Sequence, residues 1–112
     1  DLPYDRRCMH ECVFSAARQA KVGIRAIDIA KALIDRGIHP PTVYFPLVVK
    51  EAMMIEPTET ESRAEIDRFI DEMREIALLA QREPGSFAAL PRTTPVGRLD
   101  EVKAARDMIF KG

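Results

Sequence analysis

The chain has 112 residues, enough for one hydrophobic core and short of the usual two-domain length. Its 17 basic and 18 acidic residues leave a net charge of −1, which excludes a basic footprint for nucleic acid and a polybasic membrane anchor. With 46% apolar positions and no long apolar tract, the composition is globular and no bilayer span is expected.

The opening DLPYDRR has no initiator methionine and no apolar stretch of the kind a signal peptide needs, so the chain is expected to be cut from something longer. Cys8 and Cys12 lie four apart, too far along one face of a strand to bridge, and are read as free thiols of a reducing, cytoplasmic compartment. CMHECVF, Cys8 to Phe14, predicts a strand with Cys8, His10, Cys12 and Phe14 on one side and Met9, Glu11 and Val13 on the other. Neither side is cleanly polar, which places this strand inside a sheet or under cover on both faces. SAARQAKVG then reads as a short helical turn or loop punctuated by Gly23.

From Arg25 to Arg36 the period becomes helical. Ile27, Ala30, Leu33 and Ile34 form an apolar stripe, Arg25, Asp28, Lys31 and Asp35 keep to the other side, and Gly37 stands where a left-handed C-terminal cap is wanted. Pro40 and Pro41 hold the chain extended. TVYF, ended by Pro46, and Ala52 to Glu56, ended by Pro57, are two strands close enough to pair as an antiparallel hairpin. The longest helix follows, with Ser62 and Glu65 as a capping box and Ile66, Phe69, Ile70, Met73, Ile76, Ala77 and Ala80 as its apolar face. Leu78 and Leu79 fall on its charged face and are candidate contacts for a partner. Pro84-Gly85 stops the helix, and residues 84–112 form an irregular tail with a short helix from the N-cap Asp100 to Arg106.

The order strand, helix, strand, strand, helix, tail predicts a single α+β domain over residues 1–112, with a small mixed or antiparallel three-stranded sheet and helices on one face. The other face is left for solvent or another domain.

Residues able to carry chemistry are few. Cys8, His10 and Cys12 share one side of a strand, but their spacing is not a zinc knuckle and no second cluster supplies ligands, so no metal is expected. The dispersed glycines form no phosphate loop, no nucleophile elbow is present, and no lysine has a neighbouring cradle; the chain alone is not expected to bind a nucleotide or pyridoxal phosphate. His39, next to Pro40-Pro41, either positions an imidazole or interacts with the last carbonyls of the preceding helix. Glu56, Thr58, Glu59, Thr60 and Glu61 crowd a helix N-terminus. Either they offset its dipole and cap its amides, or a proline-stiffened hairpin carries them to an active site beyond the domain.

In MHECVFSAARQ, GIHPPTVYFPLVVKEAMMIEPTETES and RTTPVGRLDEVKAAR the chain closely resembles the C-terminal end of the pyridoxal-phosphate-dependent glycine decarboxylase family, the aminomethyl-transferring glycine dehydrogenase of the glycine cleavage system, particularly subunit 2 of its two-subunit bacterial type. The likeness runs in order over nearly the whole chain. It implies the C-terminal small domain of a fold-type-I pyridoxal-phosphate enzyme, which releases CO₂ from glycine and passes the aminomethyl group to the lipoyl arm of H-protein. It further implies that the Schiff-base lysine and cofactor belong to a large domain of the same polypeptide, that a companion subunit is a partner, and that this domain is inactive alone. A closing domain of this kind would put His39, Thr42, Thr58, Glu59 and Thr60 on or behind a cleft wall. MHECVFS stands where the family has MHEFVLS, a swap of hydrophobes, and RTTPVGRLDE where it has an HTTPVRRLDE-like stretch, which weakens any role for that loop. The competing expectation is a free-standing interaction or regulatory module without catalysis.

Overall fold

The computed structural model describes residues 1–109. Three strands, β1 (Cys12–Ser15), β2 (Thr42–Val43) and β3 (Ala52–Ile55), form an antiparallel sheet in the order β1-β3-β2. The helices are α1 (Ala17–Ala20), α2 (Ala26–Asp35), α3 (Arg63–Arg82) and α4 (Glu101–Arg106), with a 3-10 turn over Pro84–Ala89 between the last two. The expected α+β architecture and the β2–β3 hairpin are both present.

The order overturns one of the two expectations for the first strand, a place inside the sheet, while the other holds: Val13 and Ser15 are buried on one face and Cys12 and Phe14 half-buried on the other. The CMHECVF strand lies at an edge, and the shared central strand is β3, whose burial is nearly continuous. β1 also starts later than its composition predicts, because Cys12 pairs with Ile55, the last residue of β3, and Pro57 cannot extend the ladder. At the other end of β1, Ser15 pairs with Ala52, and its hydroxyl donates to Lys50 O at 2.7 Å.

Phe14, Met53 and Val43 face the helices. Against them pack Ile29 and Leu33 of α2, Ile76 and Ala80 of α3, and Phe87 and Leu90 beyond. The buried arc of α2 is Ala26, Ile29, Ala30, Ala32 and Leu33, displaced from the expected stripe, with Ile27 and Ile34 only half-buried. The helix is wedged between the sheet, α3 and the 3-10 turn, so it buries a wider and rotated surface. Gly37 does end it in the left-handed conformation, at φ 69°. Ser62 caps α3 by accepting from Glu65 N at 3.2 Å. Leu78 is 39% exposed, as its position predicts. Leu79 is a correction: it packs on the core, because the 3-10 turn returns Phe87 and Leu90 beneath this end of α3 and adds an apolar surface that the periodicity of α3 alone does not reveal.

The polar side of α2 is not a solvated face but a rail for the tail. The Asp35 carboxylate accepts from the backbone of Arg92 and of Thr93, the latter at 2.8 Å, while the Thr93 hydroxyl donates to Asp35 O. Further along, the Arg98 guanidinium reaches the Asp28 carboxylate and Phe87 O, and Lys31 lies 3.9 Å from Glu101. The amides of Arg92 and Thr93 hold the Asp35 carboxyl below its ordinary range. A depressed folded value contributes stability above the unfolded Asp value near pH 4 and loses it as pH falls through the folded one. Exchange protection of the Arg92 and Thr93 amides is therefore expected to hold from pH 7 down to about 4 and to be lost only at lower pH, as the Asp35 carboxyl takes up its proton in the folded chain. Asp35→Asn is expected to weaken it wherever the carboxylate is ionised and so to remove its pH dependence.

Candidate functional site

The two ladders set what gathers at each end of the sheet. Cys12 opposite Ile55 puts Glu11 level with Glu56, and Thr42 opposite Met54 puts Pro40 level with Glu56 on the other flank. The start of β1, the start of β2 and the exit of β3 thus form one rim, bearing His10, Glu11, His39, Thr42, Glu56 and, just beyond Pro57, Thr58, Glu59 and Thr60. The chain's two histidines both belong to it.

The rim is wet. His39, Thr42, Thr58, Glu59 and Thr60 are all exposed. The Thr58 and Thr60 hydroxyls share a hydrogen bond of 2.8 Å, and Glu61 N donates to Thr58 O at 3.0 Å, closing a turn ahead of Ser62. Ser62 supplies the side-chain cap of α3, so neither threonine is needed for that task. Among the described residues, His39, Thr42 and Glu59 make no side-chain hydrogen bond or ion pair within the domain. These are polar groups that the fold presents and does not consume. They offer imidazole and carboxylate for hydrogen bonding or proton transfer.

His10 is a rim member that composition alone did not single out in this role. Its Nε2 lies 3.7 Å from the Glu11 carboxylate, and the ligand atoms of His10, Glu11 and Glu56 fall within 4.8 Å of one another. The strand register was the signal that could have found this group. His10 and Glu56 are exposed and nothing further orients the three side chains, so they are neighbours at a wet rim and not a built metal centre. Cys8 and Cys12 are free thiols; burial, then proximity to Cys8, raises the Cys12 thiol above its usual value.

The opposite end of the sheet is of another character. Between β2 and β3 the hairpin turns through Tyr44 and Glu51, both left-handed at φ 60° and 50°, and exposes Phe45, Leu47 and Val48. The closed end of the hairpin is therefore apolar, and the Thr/Glu knot lies at its open end, pointing the other way. Glu51 anchors this tip: its carboxylate accepts from Ala26 N at 2.8 Å at the start of α2 and pairs with Arg25 at 3.3 Å. Arg25 in turn lies 5.4 Å from the Tyr44 ring centre. Tyr44 first, then Glu51, raises the Arg25 guanidinium still further.

Two concave surfaces accompany these ends. One is an apolar groove between β1 and α3, lined by Phe14, Met53, Phe69, Ile70 and Met73 among others. The second lies between Gly23, Asp28, Phe87 and Arg98. No lysine lines either. Lys21, Lys50 and Lys103 are exposed and Lys31 is held by Glu101, so the described residues of this chain do not fit the aldehyde and phosphate of a pyridoxal cofactor. No helix among the described residues is long and apolar enough to cross a membrane.

A family model described as "Glycine dehydrogenase, C-terminal domain" matches residues 3–86. Proteins named probable glycine dehydrogenase (decarboxylating) subunit 2, from Bacillus velezensis, Lysinibacillus sphaericus and Listeria welshimeri, are 58%, 55% and 55% identical to this chain over 111 residues. The matches cover 99% of this chain and 23% of each relative, so the chain spans less than a quarter of the length of the curated relatives it matches. Relatives named as enzyme subunits do not favour a free-standing interaction module.

Proposed function

We propose, from the premise that this chain belongs to the glycine dehydrogenase C-terminal domain family, that it is the closing domain of a cytoplasmic pyridoxal-phosphate-dependent glycine decarboxylase. The whole enzyme releases CO₂ from glycine and passes the aminomethyl group to the lipoyl arm of H-protein. The cofactor supplies the electron sink for that decarboxylation, and it is held by the large domain of the same polypeptide, since the residues here do not fit it. A companion subunit completes the assembly.

This domain's part is to present the rim. His39, Thr42, Thr58, Glu59 and Thr60 line or support the wall of the cleft, giving polar contacts that orient a small zwitterionic substrate or the arriving arm and help exclude water. The observation that carries this reading is the convergence of both histidines and the Thr58–Thr60 turn at one end of the sheet, with His39 and Glu59 left uncommitted by the fold. Thr42 and His39 reach the rim because Pro40 and Pro41 keep the chain extended into β2.

The test is the intact enzyme carrying His39→Ala and Glu59→Gln together. Its kcat/KM for glycine decarboxylation is expected to fall by about tenfold or more, equivalent to roughly 1.4 kcal/mol of transition-state stabilisation. Unchanged kinetics would make these residues part of the scaffold only.

A further inference from the structure

One flank of α3 packs on α2, while the other overhangs β1 and is open. Phe14, Met53 and Ile55 from the sheet and Phe69, Ile70 and Met73 from α3 line a groove of about 330 Å³. Ile76 and Ala80 floor the same groove and are closed at 1% exposure each, whereas Ile70 is 40% exposed and Phe69 and Met73 are half-buried. A stripe that is apolar throughout and covered over only part of its length lacks a layer.

Two observations say what that layer is. The first is where the chain enters. Asp1 lines the same groove, its backbone nitrogen donating to Ser15 O at 3.0 Å and its carbonyl accepting from Ser15 N at 2.9 Å, on the outer edge of β1. More than three quarters of each curated relative's length lies outside the part this chain matches, and the family that matches is described as a C-terminal domain. Whatever precedes Asp1 leaves from the groove itself, and a tethered segment meets the groove at an effective concentration that no free partner matches. The second is Gln19, another lining residue, whose Oε1 is buried without a hydrogen-bond partner. A buried amide oxygen of this kind needs an N–H donor.

We propose that the segment of the same polypeptide immediately upstream of Asp1 lies in the groove between β1 and α3, with an apolar face toward Phe14, Phe69, Ile70 and Met73 and an N–H group toward Gln19. It completes the layer over β1 and fixes the domain to the body of the enzyme. This surface is separate from the rim, and the assignment stands whichever residues face the cleft.

Photocrosslinking in the full-length protein tests it without reference to activity. Ile70 is replaced by benzoylphenylalanine, a bulky apolar residue at a half-exposed site; Arg74, which lines the same groove and whose side chain is 73% exposed, is the second position should the first variant not fold. After irradiation and peptide mapping, the expected product is an intramolecular cross-link to residues within about 25 positions upstream of Asp1, a span of roughly 35 Å as helix that covers the groove. Cross-links to a second copy, to a companion subunit, or only to residues of the domain itself overturn the proposal. So does a native product no longer than the 112 residues of this chain. In the same protein Ile70→Lys is expected to raise the rate of limited proteolysis just upstream of Asp1 at least tenfold; an unaltered rate counts against the proposal.

Discussion

Glu51→Ala is expected to lower the unfolding free energy of the chain by about 2–3 kcal/mol, the range for losing a hydrogen bond to a charged acceptor and leaving its buried donor unpaired. Glu51 is the joint between the hairpin and α2. Its side chain is only 9% exposed, and Ala26, whose amide it accepts, is fully buried, so water cannot replace the lost acceptor. The carboxylate also sits at the positive end of the α2 dipole, where it adds to the cap that Asp28 supplies to Arg25 N at 2.8 Å. Urea unfolding of the two proteins measures the difference, read from the midpoint at a constant slope. Arg25→Ala removes the other member of the pair and is expected to cost much less, because that guanidinium is exposed and screened. Glu51→Gly separates two contributions: it loses the same cap but relaxes a left-handed residue at φ 50°, and so is expected to be less damaging than alanine. Equal losses for alanine and glycine would show that the backbone there stores no strain.

Elements whose signals are local were legible in the sequence. Gly37 needs only its own left-handed backbone, and Ser62 only its Glu65 amide three residues on, so both caps could be read directly. The hairpin followed from two short apolar runs with prolines at their margins. What could not be read depends on pairs far apart. Asp28, Lys31 and Asp35 carry the polar pattern of a solvated helix face, yet their partners Arg98, Glu101 and Arg92–Thr93 come from the tail, and nothing in a 3.6-residue period distinguishes water from a docked strap. The rim is a similar case. His39 and the Thr58–Thr60 turn stood out as residue types, but the register of β1 against β3 was needed to add His10 and Glu11 and to show that the hairpin's exposed apolar turn points away from them. Rim and turn occupy opposite ends of the sheet and are separate surfaces, one polar and one apolar.

Ile76→Ala is expected to be the most damaging single truncation of the core, at about 3–4 kcal/mol, with a fall in Tm of roughly 12–20 °C. Ile76 is 1% exposed and shares one core with Leu33, Ala80 and Phe87, where α2, α3 and the 3-10 turn meet. The truncation removes a side chain that is buried on its core side and floors the groove between β1 and α3 on the other, so the loss should lie in the middle of the range for such truncations. A domain of this size has a total stability on the order of 5–10 kcal/mol, so the variant retains a folded state with little in reserve. Ile70→Ala is the control on the same helix. At 40% exposure it gives up little burial, and the chain alone is expected to lose less than about 1 kcal/mol. In the full-length protein, with the groove filled, the same substitution removes a buried contact and its cost rises toward that of Ile76→Ala. Thermal melts of the chain and proteolytic susceptibility of the full-length protein read the two contexts. A cost for Ile70→Ala that is the same in both would mean that the open flank of α3 stays wet in the assembled enzyme.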